Sequence, residues 1–241
     1  MANLFQTNKQ GSEENWISVS DLMAGLMMVF LFIAVIYAKD ANHRAQNVTE
    51  IVTEWQDTEL EIYSALNNEF EEDLKNWNAE IDKETLTIRF VAPEVLFKSG
   101  SAELEEQFKT ILDDFMPRYI SLLGEHFLPQ ISEIRIEGHT SSEWNSSADL
   151  TEAFVHNMEL SQERTRAVLS YSLGIHSLES YRPWMRNTVS ANGLSSARTI
   201  LVNGAEDKQK SRRVEFTIRT KTKEALFRIL ERVAPAIERR L

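Results

Sequence analysis

One carboxylate in this chain stands where carboxylates are scarce. Asp21 is the single formally charged residue of the 22-residue run 17–38, ISVSDLMAGLMMVFLFIAVIYA. An aspartate in a membrane helix costs about 2.5–3.5 kcal/mol at the bilayer centre and less near an end. Such a cost is borne where the group meets a partner helix, a water-filled path or a transported ion. A carboxyl group can take up and release a proton, so the chemistry expected of Asp21 is ion handling. A lone carboxylate with few other oxygen ligands leans towards the proton over sodium. Ser18 and Ser20 lie beside it; their hydroxyls can serve a passing ion or bond back to their own helix. The bland alternative is an interfacial Asp21 with a span over 22–38, whose 17 residues just suffice.

Other chemistries find little support. There is no cysteine, hence no disulfide framework and no thiolate metal site. The five histidines show no metal-ligand spacing, and His139, directly after a strand, is read as structural. Ser141, Ser142 and Ser146 lack a glycine elbow and a paired His/Asp order. Gly100, Gly138, Gly174, Gly193 and Gly204 are isolated, so no nucleotide-binding loop is present. Of the net charge of −11, residues 50–84 carry −10, with twelve acids against two bases. That distribution argues against nucleic-acid binding, which wants a basic face. The expectation is therefore a protein that is not an enzyme, with no metal or other cofactor.

These groups need elements to position them. At 1.5 Å per residue, 17–38 makes about 33 Å of helix, enough for a hydrocarbon core of about 30 Å. Only Lys9 is basic before it, Glu13 and Glu14 are acidic, and no Ala-x-Ala site closes it, so a retained anchor is expected over a cleaved signal. Trp16 and Tyr37 suit the two interfaces. The basic residues, Lys9 on one side and Lys39 and Arg44 on the other, give no orientation. Residues 39–84 are acidic and form an amphipathic linker helix whose stripe includes Val48, Val52, Trp55, Ile62, Leu66 and Phe70. The stripe needs a partner surface, and a parallel dimer seam is one candidate; the acids are read as a solvated face.

From residue 85 the pattern alternates between strands (85–91, 131–137, 214–219) and helices (101–123, 157–173), with a poorly defined stretch at 189–194. Pro93 and Gly138 are read as strand stops, Gly174 as a helix C-cap, and 227–239 as a terminal helix. The expected fold class is α+β: an N-terminal transmembrane helix, the linker helix, and an α/β sandwich over 85–220, followed by a C-terminal helix in 221–241.

Four segments in order, LTIRFVAPEVLFKSGSAEL, IRIEGHTS, NMELSQERTRAVLSYSL and SRRVEFTIR, resemble the OmpA C-terminal-like, peptidoglycan-binding family across 85–220. The front end, WISVSDLMAGLMMVFLFIAVI, resembles MotB-like stator B subunits, and its wording is most similar to the B subunits of Zorya anti-phage defence systems. The resemblance implies residues 1–16 in the cytoplasm, a single pass through a bacterial inner membrane, and a periplasmic domain. It implies a homodimer inside a MotA-like membrane partner ring, with Asp21 loading and releasing a proton or sodium ion. A passive wall anchor and a Tol/Ton-type energising subunit are the alternatives. The family's Asn-x-x-Leu-Ser-x-x-Arg motif falls on Asn157, Leu160, Ser161 and Arg164, implying that Asn157, Leu160 and Arg164 bind the diaminopimelate unit of the peptidoglycan stem. An arginine fork suits a carboxylate, and these positions share a helix face. The family's Gly-His-Thr-Asp reads Gly138-His139-Thr140-Ser141 here, losing the acid that would meet the ligand's ammonium. Glu143 and Asp149 lie in the longer stretch that follows and are candidates to replace it. Arg212 and Arg213 match the closing motif.

Overall fold

The computed structural model describes residues 10–91, 93–144 and 149–221; the terminal helix expected at 227–239 lies outside them. Helix α1 spans Gln10–Asn76. Two compact units divide within it, the first ending at Thr53 and the second beginning at Glu54.

In the first unit, Val19–His43 is long and apolar enough to cross a membrane, and none of it is buried against protein. Leu22, Met27, Phe30 and Ile36 are all exposed. An α-helix satisfies its own backbone hydrogen bonds, so apolar side chains on all sides are compatible with lipid or with neighbouring helices. Asp21 stands two residues inside the N-terminal end of this segment.

In the second unit, α1 gives up its apolar stripe to the chain's own core. Ile62, Leu66 and Phe70 are fully buried. The Phe70 ring lies 5.3 Å from that of Phe115 and 6.0 Å from that of Trp77. This stretch of the stripe is therefore no seam for a second chain. Nor are its acids all simply solvated: Glu69 and Asp73 hold Arg118 at 2.7 and 2.8 Å. The linker helix expected to run to residue 84 stops at Asn76, where Asn78 takes a positive φ of 48° and turns the chain into a strand.

That strand, β1 (Ala79–Asp82), pairs with β2 (Thr87–Val91). A short helix α2 (Pro93–Leu96) and a long one, α3 (Glu106–His126), lead to β3 (Ile131–His139) and then α4 (Leu150–Gly174). A 3-10 turn at His176–Tyr181, helix α5 (Arg182–Thr188) and β4 (Val189–Gly193) follow. A small hairpin of β5 (Leu201–Val202) and β6 (Ala205–Glu206), the turn α6 (Lys208–Ser211) and β7 (Arg213–Thr220) complete the described chain. The sheet order is β1-β2-β7-β3-β4. All its pairs are antiparallel except β3 with β4. The molecule is thus α+β with a mixed sheet. Alternation on β7 sends Val214, Phe216 and Ile218 to the helix side, where Phe216 meets Phe90 and Phe115 at 5.8 and 5.1 Å.

Further boundaries differ from the sequence pattern, three of them for a clear local reason. β3 runs on through Gly138 and His139: the glycine is not a stop but a place of close approach, because a Cβ there would lie 2.7 Å from Thr165 Cγ2 and 2.9 Å from the Ser161 carbonyl. Helix α4 starts at Leu150, well before Asn157, because the Asp149 carboxylate accepts the Glu152 amide at 2.8 Å and caps it. Gly174 is the last helical residue rather than a left-handed cap; the chain leaves through Ile175 in an extended conformation.

Candidate functional site

The site forms where the end of β3 passes under α4. Gly138 and Gly193 are registered partners on neighbouring strands. A Cβ on Gly193 would fall 2.6 Å from Gln162 Cγ and 2.7 Å from its Cα. Two glycines side by side let the helix backbone settle directly on the sheet. Ser161 seals the contact: its Oγ accepts the Ser195 amide at 3.1 Å.

Arg164 projects from α4 into a small cleft shared with Phe97, Gly138, His139, Ser161 and Arg212. Its guanidinium lies over the Phe97 ring at 4.8 Å, and Nε donates to the Ser101 carbonyl at 2.9 Å. Among the described residues no carboxylate pairs with it. Burial pushes its pKa down to about 10, and nearby Arg212 adds to the shift. A largely desolvated arginine with no carboxylate partner among the described residues, and a second arginine nearby, presents the charge that a carboxylate complements.

Asn157 and Leu160 play different parts from Arg164. Asn157 is buried, and its side-chain amide donates to the backbone carbonyls of Ser141 (3.2 Å) and Glu143 (2.9 Å). Both amide hydrogens are thereby spent on holding the loop after β3. Leu160 is half-buried and is not among the residues lining the cleft. Of the two acids weighed as replacements at Ser141, Asp149 caps α4 and Glu143 is ion-paired with Lys208. Arg212, flagged in the sequence only as part of a closing motif, is the residue the structure adds to Arg164. Phe97 had no signal beyond its place in the first segment of that pattern.

Behind the cleft lies a buried charge network on the sheet face away from α4. Glu215 accepts from Arg213 at 2.7 Å and from Arg89 at 2.5 Å, and Arg198 reaches Glu137 at 3.5 Å. Burial pushes the Glu215 carboxyl up, but His139 and Arg213 outweigh it and hold the group well below the usual carboxylate range. His139 Nε2 sits 3.3 Å from Glu215, within ion-pair distance but without hydrogen-bond geometry, and both its ring nitrogens are unsatisfied. Its pKa is lowered mainly by burial. Glu137, His139 and Glu215 bring ligand atoms within 4.8 Å of one another, as a metal would require. Arg89, Arg213 and Arg198 already supply the positive charge there, so the group is a structural ion cluster in which a divalent cation would be repelled.

No family model matches the chain. Among solved structures, the cell wall anchor of the T6SS from Pseudomonas aeruginosa covers 64% of this chain and 96% of its own, at 20% identity and a TM-score of 0.45. The periplasmic domain of Helicobacter pylori MotB covers 68% and 90%, at 16% identity and a TM-score of 0.44. The OmpA-like domain of FopA1 from Francisella tularensis covers 59% and 80%, at 18% identity and a TM-score of 0.37. The Zorya protein ZorB of Escherichia coli (strain ATCC 8739, Crooks) is 44% identical over 224 residues, covering 92% of this chain and 95% of the relative. Identity of that degree over nearly the full length of both sequences means that the chain belongs to the ZorB family of Zorya proteins.

Proposed function

We propose that this chain is the B subunit of an ion-driven, stator-like membrane motor, anchored to peptidoglycan and acting in anti-phage defence. The observation that carries the reading is Asp21: one carboxylate in an apolar helical segment whose described residues are all exposed. Two such helices pair within a ring of a MotA-like membrane partner, and each Asp21 is loaded and unloaded from opposite sides of the membrane. Moving one charge through 100 mV supplies about 2.3 kcal/mol, enough to bias a two-state helix arrangement roughly fiftyfold. The N-terminus lies in the cytoplasm and the α+β domain in the periplasm of a single-pass inner-membrane protein.

In the domain, Arg164 and Arg212, which have no carboxylate partner among the described residues, offer a cationic cleft to a carboxylate of the peptide stem; Asn157 holds the loop beside it, and Leu160 lies on the same helix outside the lining. Holding the wall converts motion at the membrane into work against a fixed support. The place of Asp21 near the end of the apolar segment favours one rival, a passive wall tether with the carboxylate at the interface. An Asp21→Asn variant, co-expressed with the neighbouring membrane-protein gene, separates the two. Complex formation retained with phage protection lost is the expected result; full protection with the asparagine would leave only the tether.

A further inference from the structure

The loop between β3 and α4 carries a feature that ion relay and stem binding leave unused. Trp144 lies on this loop with its indole stacked on the imidazole of His156, ring centroids 5.1 Å apart and planes 16° from parallel. One face of the indole is thus covered, yet 40% of the residue stays exposed. A large aromatic held flat and left open in this way is an apolar surface with a fixed orientation. The loop is not adrift, since Asn157 grips the carbonyl of Glu143, the residue before Trp144, at 2.9 Å. Polar groups frame the platform: Glu152 stands 3.8 Å from His156, and Glu143 is ion-paired with Lys208.

We propose that Trp144, backed by His156, is a stacking platform for a sugar ring of the peptidoglycan glycan strand; this rests on the reading of Arg164 as the stem-carboxylate site. A pyranose presents a face of C–H groups that packs on an aromatic ring, while its hydroxyls need polar partners at the edge. Spacing supports the pairing. His156 and Arg164 are eight residues apart on α4, about 12 Å along its axis. The third residue of an extended peptide stem lies about 10 Å from the sugar that bears it, at 3.3–3.6 Å per residue. One muropeptide can therefore reach both groups, with its stem along α4 and its sugar on the indole.

The test uses the full-length chain in detergent micelles and three probes: a disaccharide tripeptide, the tripeptide without sugar, and the disaccharide alone. Trp144→Ala is expected to weaken the disaccharide tripeptide about fivefold and to leave the sugar-free tripeptide unchanged, with Trp144→Phe restoring most of the loss. Arg164→Ala is expected to abolish binding of both peptides. Unaltered affinity of Trp144→Ala for the disaccharide tripeptide overturns the platform while the stem reading survives. Disaccharide binding that depends on Trp144, in a chain that ignores the tripeptide, keeps the platform and overturns the stem reading. If the native chain binds none of the three probes, both fall together.

Discussion

Replacing Arg164 by methionine separates a residue kept for binding from one kept for stability. Burial, with Arg212 nearby, lowers the arginine pKa from 12.5 to about 10. The folded state holds this proton less tightly than the unfolded chain does, so the charge opposes folding at every pH below about 10. At about 1.4 kcal/mol per pKa unit the opposition is at most about 3.5 kcal/mol. Methionine keeps an unbranched apolar stem against Phe97 and removes the charge. It also removes the Nε hydrogen bond to Ser101, worth about 1 kcal/mol, and the cation–π contact with Phe97, worth about 1 kcal/mol. The balance favours the variant by at most about 1.5 kcal/mol, a Tm rise of up to about 3–6 °C for a domain of this size. Calorimetry of the full-length chain in detergent reads the Tm, and co-sedimentation with purified sacculi reads the binding. The expected pair is a Tm equal or higher and sedimentation lost. A Tm lower by more than about 4 °C would make the guanidinium a strut of the fold and refute the reasoning.

The remaining predictions concern the parts that hold the site. Gly193→Ala puts a methyl group against Gln162, where backbone as well as side chain blocks it; a loss of about 3 kcal/mol is expected in denaturant unfolding, and an unchanged midpoint would mean that α4 can lift off the sheet freely. Stability should also fall as the pH drops below about 6.5, because the unfolded chain binds a proton that the buried His139 refuses. A second loss should begin below about 4.5, where Glu215, depressed in the fold, keeps its contribution only while ionised. His139→Gln should flatten the first slope and weaken the second, since Arg213 is then left to hold Glu215 down; an unaltered profile would assign the first loss to other groups.

The sequence by itself determined what local pattern and composition can carry. An apolar run of this length with one acid is legible as a candidate membrane helix whatever surrounds it, and the expectation for Asp21 rests on that. The alternation at Thr87–Val91 and Arg213–Thr220 fixed strands because one face had to be buried and the other not. Motif resemblance pointed to Arg164, because a helix carries a fixed spacing intact from sequence to structure. Tertiary structure decided the rest. Whether Ile62, Leu66 and Phe70 meet a second chain or their own domain depends on a surface made by Phe90 and Phe115, tens of residues further along. Gly138 reads as a stop in one dimension and becomes a site of contact only when α4 lies across it. Asn157 looked like a ligand residue, but its amide is spent on carbonyls 14 and 16 positions away. Arg212 joins Arg164 because β7 lies beside β3 in the sheet, and Trp144 finds His156 across a loop whose length carries no periodic signal. Side-chain type and period are local quantities, legible in order along the chain. Which side chain is left without a partner is a property of the packed whole.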